Sequence, residues 1–393
     1  MAASGKPALV EVATTAFGPE LELLLRIAGE AITGEPAANH LQAEPAWDRL
    51  LQLAELHGLE PFLLRWIRRA RVSAPVEFSE RLSRNCAEIA GRNLALGKEL
   101  VQVSRELGAQ GIEHLVYKGP LLAQMLYGSL ALRPSRDIDL IVRPEQAKQA
   151  FAALEKIGYV EKDNLSARQR SAMIRFASEQ CLARERIEVD LHWRLAPAAT
   201  MRRVDVDAIW RRAVPMRLFD AELPAPAPED LFLALCLHAG EHAWSQLSLF
   251  CDLGRLLEVT PGFDWEILRS QVRDANTRRT LDVTLLLLAN CFGVSVPQKM
   301  LRREMQVELL AARVARDFWP DPEQAAHKET SLAWFRERSR GERLPDRLRW
   351  ITGGILTPTL ADFQWLPLPE FLQFSYRAVR VVRLALRGVG LTR

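Results

Sequence analysis

The segment RPSRDIDLIV, residues 133–142, places Asp137 and Asp139 one residue apart at the start of an apolar run. Side chains alternate between the two faces of a strand, so the two carboxylates would project from one face and Ile138 from the other. Two carboxylates on one face repel each other and resist burial unless a positive charge joins them. The segment therefore predicts a strand that carries a cation, and a divalent metal ion is the obvious candidate.

The residues around this segment predict one compact α/β unit. Four further stretches predict, in chain order, a strand, a helix, a second helix and a last strand: IEHLVY (112–117), PLLAQMLYG (120–128), PEQAKQAFAALEKIGY (144–159) and RIEVDLHWRL (186–195). Pro120 and Pro144 lie near the starts of the two predicted helices, where a backbone N–H has no partner in the helix and can be missing. Strands and helices therefore alternate through the middle of the chain.

Helical patterns flank this unit on both sides. Apolar residues recur at three-to-four spacing over most of residues 20–110 and again from about residue 228 onward. The stretch LPAPAP (223–228) predicts a linker, because proline lacks the N–H that a strand ladder requires. We therefore predict an N-terminal helical region of residues 1–108, a core of residues 109–222 and a C-terminal helical domain of residues 223–393.

The composition is that of an ordinary globular protein. Hydrophobic residues make up 48% of the 393 residues, and the net charge of +3 is too small by itself to indicate a nucleic-acid partner. The five cysteines show no CxxC spacing, which predicts reduced thiols and neither a disulfide framework nor a zinc ribbon. The sequence has no apolar leader and no run of ~20 apolar residues, which predicts a cytoplasmic protein without a signal peptide or membrane span.

Residues on both sides of the paired aspartates complete a pattern for metal-dependent phosphate chemistry. Lys118 and Gly119 lie where a predicted strand ends and a helix begins, and a helix N-terminus with a glycine is a ready anion site. Asp190 follows on a later strand, so three carboxylates could hold Mg²⁺ ions, with Asp190 as a shared ligand or a base. Arg133 and Arg136 would offset the charge of a phosphate.

This arrangement resembles the nucleotidyltransferase superfamily typified by DNA polymerase β. Bacterial nucleotidyltransferase family proteins of unassigned substrate are similar in their Lys-Gly turn, LY helix end, R…DIDL and DLHW, here Lys118-Gly119, Leu126-Tyr127, Arg133 to Leu140 and Asp190 to Trp193. Abortive-infection toxin nucleotidyltransferases are similar in their R-x-S-x-D-x-D, here Arg133 to Asp139. The resemblance covers about residues 112–195 and extends more weakly to LCLHAGEHAW (235–244).

The resemblance implies an α+β fold with a small mixed sheet between the helical regions, and a specific reaction. A nucleoside monophosphate would move from an NTP to an unidentified acceptor (a small molecule, a peptide or tRNA) with release of pyrophosphate and Mg²⁺ or Mn²⁺ as cofactor. The implied catalytic and metal-binding residues are Asp137, Asp139 and Asp190, and the implied nucleotide-binding residues are Lys118, Gly119, Arg133 and Arg136. The sequence departs from the superfamily at Pro120, because the glycine turn is normally Gly-Ser or Gly-Gly, and Gly128-Ser129 is a rival turn.

Several alternatives stay open at this point. Glu188 could replace Asp190, His192 could position it, and the chain could be a catalytically silent nucleotide-binding adaptor or a toxin acting on tRNA. A zinc peptidase is a remote alternative, because HAGEH places His238 and His242 four residues apart on a helix. Near the C-terminus, four arginines recur near helical spacing and predict either weak contact with a membrane or partner, or a packing helix with a solvated basic face: Arg377, Arg380, Arg383 and Arg387.

Overall fold

The computed structural model describes residues 17–36, 41, 43–163, 165–195, 204–272, 274–323, 352–353 and 355–388. Its helices are α1 Pro19–Thr33, α2 Trp47–His57, α3 Glu60–Ala70, α4 Val76–Ala109, α5 Gly119–Tyr127, α6 Ala147–Lys156, α7 Ala167–Phe176, α8 Val206–Arg211, α9 Pro228–Glu241, α10 Leu247–Glu258, α11 Trp265–Gln271, α12 Ala275–Phe292, α13 Met305–Arg313, α14 Leu360–Trp365 and α15 Tyr376–Gly388. Its strands are β1 His114–Val116, β2 Ile138–Val142, β3 Val160–Glu161, β4 Glu179–Arg184, β5 Ile187–His192, β6 Val214–Leu218 and β7 Ala221–Ala225. None of the helices described is long and apolar enough to cross a membrane.

The chain divides into two compact units that each draw on separated segments. The first unit comprises the described residues of Met1–Leu94, Ala123–Pro134 and Pro228–Gly341. The second comprises those of Ala95–Leu122, Ser135–Ala227 and Glu342–Arg393. The division into three consecutive regions remains a prediction from the sequence.

A mixed five-stranded sheet forms the centre of the second unit. Its strand order is β1-β2-β5-β4-β3, in which β2 and β5 run parallel and the other neighbours are antiparallel. The sheet and its helical flanks confirm the α+β class, and β1, β2, β5, α5 and α6 confirm the five elements predicted for this region. The sequence did not predict β3 or β4, because β3 has only two residues and EQCLAR in β4 alternates weakly.

The apolar face of the sheet supplies the core of the second unit. Strand alternation directs Leu140 and Leu191 to this face, and both are fully buried. Helix α6 packs here through Phe151, whose ring lies 6.0 Å from that of Trp193 in an edge-to-face arrangement. The opposite face therefore carries the polar residues of the central strands, including Asp190.

The first proline of the predicted linker, Pro224, lies in a strand. Strand β7 pairs with β6, and Pro224 lies directly opposite Pro215. Because neither residue of a non-hydrogen-bonded antiparallel pair needs an N–H toward its partner, two facing prolines are compatible with the ladder. The expectation that LPAPAP (223–228) cannot pair as a strand is therefore wrong for its first three residues.

The C-terminal helix α15 turns two of its four arginines inward. Arg383 donates from Nε to Asp362 Oδ1 at 2.5 Å, and Arg380 Nη1 lies 3.6 Å from the other oxygen of that fully buried carboxylate. A buried carboxylate requires such partners. Arg377 and Arg387 are exposed. The expectation of a wholly solvated basic face is therefore wrong for Arg380 and Arg383.

Several apolar side chains are exposed in the C-terminal segment of the second unit. Phe371 is 76% exposed and Val382 50% exposed, and further exposed positions follow at heptad-like spacing through the 3-10 segment Glu370–Ser375 and α15: Phe374, Ala378, Val381 and Ala385. We call these six residues the C-terminal apolar stripe. Several large apolar side chains exposed within one segment are typical of an interaction site.

Candidate functional site

The pairing of β2 with β5 brings together the side chains that dominate the polar face of the sheet. The parallel register places Asp139 directly beside Asp190, and His192 lies two residues further along β5 on the same face. One ligand atom from each of these three side chains lies within 4.8 Å of the others. They are the one group of three or more potential metal ligands among the residues described.

Asp139 is buried, and the Lys118 ammonium and the His192 imidazole both lie next to its carboxylate. Its Oδ1 accepts a hydrogen bond from the Lys118 ammonium at 2.8 Å and lies 3.3 Å from His192 Nε2. Burial alone would raise the pKa of Asp139, but Lys118 and His192 outweigh burial and hold this pKa well below its usual range. Asp139 is therefore a carboxylate, the form that binds cations, at any ordinary pH.

His192 links the candidate metal ligands to the neighbouring strand. Its Nδ1 lies 2.7 Å from Glu179 Oε2, and the Tyr117 hydroxyl lies 3.2 Å from its Nε2. Burial lowers the pKa of His192, but hydrogen bonds to Asp139 and Glu179 raise it more strongly, to about 9. His192 would have to give up its Nε2 proton before that atom could bind a metal ion.

Asp190 lies on the central strand β5, with Asp139 of β2 on one side and strand β4 on the other. Its partner in the antiparallel ladder is Cys181, whose thiol donates a hydrogen bond to Glu188 Oε2 at 3.6 Å. Burial raises the pKa of Asp190, and the charge of Asp139 raises it further, although the nearby Cys181 thiol lowers it. Glu188, the alternative to Asp190, pairs instead with Lys162 at 2.6 Å.

Gly119 is the first residue of α5, and this position requires a residue without a side chain. Its φ of +69° is in the left-handed region, and a Cβ added there would lie 3.2 Å from the carbonyl oxygen of Asp137. The turn therefore passes closely beside the chain that enters β2. Pro120 follows in the first turn of α5, so the helix presents one N–H fewer at this end.

The structure brings together only part of the predicted site. Lys118, Asp139 and Asp190 lie on the polar face, whereas Asp137 precedes β2, is partly buried and is not a member of the group within 4.8 Å. Arg136 is exposed. The predicted roles of Asp137 and Arg136 therefore remain predictions.

Arg133 lies in the first unit, where its guanidinium joins a buried network. Its Nε donates to Asp252 Oδ2 at 2.7 Å, and the Tyr127 hydroxyl donates to the other oxygen of Asp252 at 3.0 Å. Asn93 Nδ2 donates to the carbonyl oxygens of Leu130 and Arg133 at 2.5 and 2.6 Å. These bonds hold the segment before β2 in place, and a nucleotide contact of Arg133 remains a prediction.

The two histidines of HAGEH lie close together near the end of α9. The ring centroids of His238 and His242 are 4.5 Å apart, as expected for residues four apart on a helix. Within the described part of the chain no third ligand-bearing residue forms a metal-binding group with them. A zinc peptidase site of three protein ligands therefore has no support here.

Sequence patterns gave no indication of Tyr117, Glu179 or Cys181 as members of this polar face. Tyr117 ends an apolar stretch, and the other two lie on the unpredicted strand β4. The complete face nevertheless fits a divalent cation. Carboxylate oxygens suit Mg²⁺ and an imidazole nitrogen suits a transition metal such as Mn²⁺, and the mutual repulsion of Asp139 and Asp190 would be relieved by either ion.

Comparison with known proteins agrees with this chemistry. A family model described as an uncharacterised nucleotidyltransferase matches residues 43–293, which is more than half of the chain and includes the whole polar face. No curated protein matches. Because the match spans the glycine turn, both carboxylate strands and most of the helices on either side, the chain belongs to this family of uncharacterised nucleotidyltransferases.

Proposed function

We propose that the protein transfers a nucleoside monophosphate from an NTP to an acceptor hydroxyl or phosphate and releases pyrophosphate. The observation that carries this proposal is the pairing of Asp139 with Asp190 on parallel strands, beside His192 and the Gly119 turn. A buried and a partly buried carboxylate in such proximity are costly unless a cation joins them. The arrangement also supports membership of the superfamily typified by DNA polymerase β.

In this proposal the acceptor oxygen forms a bond to the α-phosphorus while the bond from that phosphorus to the β-phosphate oxygen breaks. Asp139, Asp190 and, on the sequence pattern, Asp137 would hold Mg²⁺ or Mn²⁺. The bound ion would supply charge neutralisation on the transferring phosphate and the leaving pyrophosphate. Asp190 would accept the acceptor's proton, because its raised pKa makes it a better base than Asp139.

The nucleotide end of the site would lie at the start of α5. Lys118 and the backbone around Gly119 are placed beside Asp139, where the triphosphate would meet both a cation and a helix N-terminus. Arg136 is exposed just before β2 and could reach a phosphate, whereas Arg133 would first have to leave Asp252. We therefore rank Lys118 and Arg136 above Arg133 as phosphate contacts.

Isothermal titration of the four NTPs with Mg²⁺ or Mn²⁺ tests the proposal without knowledge of the acceptor. We expect metal-dependent binding of at least one nucleotide, lost in Asp139→Asn and Asp190→Asn. Asp220→Asn is the matched control, because the Asp220 side chain is 84% exposed and lies on the turn between β6 and β7. Full metal-dependent binding by Asp139→Asn and Asp190→Asn would refute the assignment.

Two alternative functions on the same fold are a catalytically silent adaptor and a tRNA-modifying toxin. The titration and a transfer assay distinguish them from the proposed enzyme. A silent adaptor would bind nucleotide but release no pyrophosphate with any acceptor extract. A tRNA-modifying toxin would transfer label from an α-³²P-labelled NTP to tRNA, whereas other acceptors would leave tRNA unlabelled. Intact carboxylates at Asp139 and Asp190 favour the active enzyme.

We also propose that the C-terminal apolar stripe makes a weak contact with an anionic membrane surface. Phe371 and Phe374 would enter the headgroup region, and the exposed Arg377 and Arg387 would lie against acidic lipids. Flotation with phosphatidylglycerol vesicles should recover the wild type but not a Phe371→Ser, Phe374→Ser variant. Equal recovery with neutral phosphatidylcholine vesicles, or no recovery, would exclude this contact.

The cytoplasmic location remains a prediction from the sequence.

A further inference from the structure

Two side chains from different parts of the chain lie close to the same oxygen of Asp139. Lys118, at the end of the β1 segment, lies 2.8 Å from Oδ1, and His192 on β5 lies 3.3 Å from the same atom. The side chains of Lys118 and Asp139 are 10% and 5% exposed. Lys118 thus occupies a buried position beside the carboxylate that faces the other candidate metal ligands.

A metal ion at Asp139 and the Lys118 ammonium beside the same carboxylate oppose each other through their charges. A dication and an ammonium a few ångströms apart in a partly buried site repel strongly. Metal binding at Asp139 therefore favours displacement of Lys118.

A displaced Lys118 needs a new anionic partner, because a buried ammonium without one is costly. Lys118 immediately precedes Gly119 and α5, the place proposed for the triphosphate. Its flexible four-carbon stem allows the ammonium to swing without backbone movement. A phosphate bound at this helix end would satisfy the ammonium as it leaves Asp139.

We propose that Lys118 is an internal counter-ion of Asp139 that couples metal binding to nucleotide binding. Metal alone binds weakly because the charge of Lys118 opposes it, whereas metal and triphosphate together bind tightly because the triphosphate receives the ammonium. The site would thereby stay closed to free divalent ions. This inference rests on the proposed function, and it assigns Lys118 a positioning role that the sequence pattern did not contain.

Replacement of Lys118 by methionine tests the coupling, because methionine has a similar length and no charge. Binding of Mn²⁺ alone, measured by electron paramagnetic resonance, should become at least about tenfold tighter in Lys118→Met. Binding of the Mn²⁺ complex of inorganic triphosphate should become at least about tenfold weaker. A merely structural role of Lys118 would weaken both, so the opposite signs identify the counter-ion.

Lys148→Met is the matched control, because this lysine is in the same unit, is 62% exposed and pairs with an exposed glutamate across 3.5 Å. Both of its affinities should stay within about twofold of the wild type. If Lys118→Met does not fold, Lys118→Gln makes the same comparison. Mn²⁺ binding that is unchanged or weaker in the Lys118 variant would overturn the inference.

Asp139→Asn separates this inference from the proposed function. If Asp139→Asn abolishes Mn²⁺ binding but Lys118→Met does not tighten it, the counter-ion role fails and the metal site stands. If neither the wild type nor any variant binds Mn²⁺ with or without triphosphate, the proposed function fails and the counter-ion role fails with it.

Discussion

Asp282 on α12 makes the stability of the first unit depend on pH in a direction opposite to that of most carboxylates. The side chain is 4% exposed, and its buried Oδ1 has no hydrogen-bond partner among the described residues. Burial raises the pKa of Asp282 from 3.8 to about 7, although the charges of Arg278 and Arg302 pull it down and that of Glu304 adds to the rise. The native state therefore binds a proton here more tightly than the unfolded chain does.

The sign and size of the effect follow from linkage. A raised native pKa contributes stability that is fully present below about pH 4 and is lost as the pH rises through 7. One pKa unit corresponds to about 1.4 kcal/mol, so the change from 3.8 to about 7 is worth about 4 kcal/mol at most. About 3 kcal/mol of this falls between pH 5 and pH 8.

Asp282→Asn removes the titration and keeps the shape of the side chain. We expect the free energy of unfolding of this variant, relative to the wild type, to increase by about 3 kcal/mol from pH 5 to pH 8. Urea denaturation followed by tryptophan fluorescence at several pH values measures this difference, with Asp220→Asn as the exposed control. A difference between variant and wild type that is the same at pH 5 and pH 8 would refute the reasoning.

Three further predictions concern packing, a buried ion pair and the turn. Gly254→Ala should destabilise the first unit by about 1–3 kcal/mol in urea denaturation, because the new Cβ would lie 2.8 Å from Ile32 of α1; an unchanged urea midpoint would contradict the packing. Arg383→Met should cost about 3 kcal/mol in the same assay because it leaves the buried Asp362 with a single, longer ion pair, and restored stability is expected when Asp362→Asn is added. Gly119→Ala should cost about 1–2 kcal/mol through its left-handed backbone, and should weaken metal–triphosphate binding in titration calorimetry, while equal affinity would argue against a phosphate site at this turn.

The sequence by itself determined the local elements and the chemical character of the site. Alternation in DIDLIV and EVDLHW is a property of each strand alone, so it predicted that Asp139 and Asp190 lie on polar faces. Gly119 before an apolar helical stretch likewise predicted the turn that begins α5. Such patterns can be recognised in the sequence because they involve residues only a few positions apart.

Only the tertiary structure decided which of these groups meet. The register that sets Asp139 beside Asp190 joins strands about fifty residues apart in the chain, and β4 brings Glu179 to His192 although its own sequence alternates weakly. The pairing of Lys118 with Asp139 depends likewise on burial, because an exposed lysine would gain little from one carboxylate. Contacts between distant segments depend on strand register and on the desolvation of charged groups, and neither leaves a local pattern in the sequence.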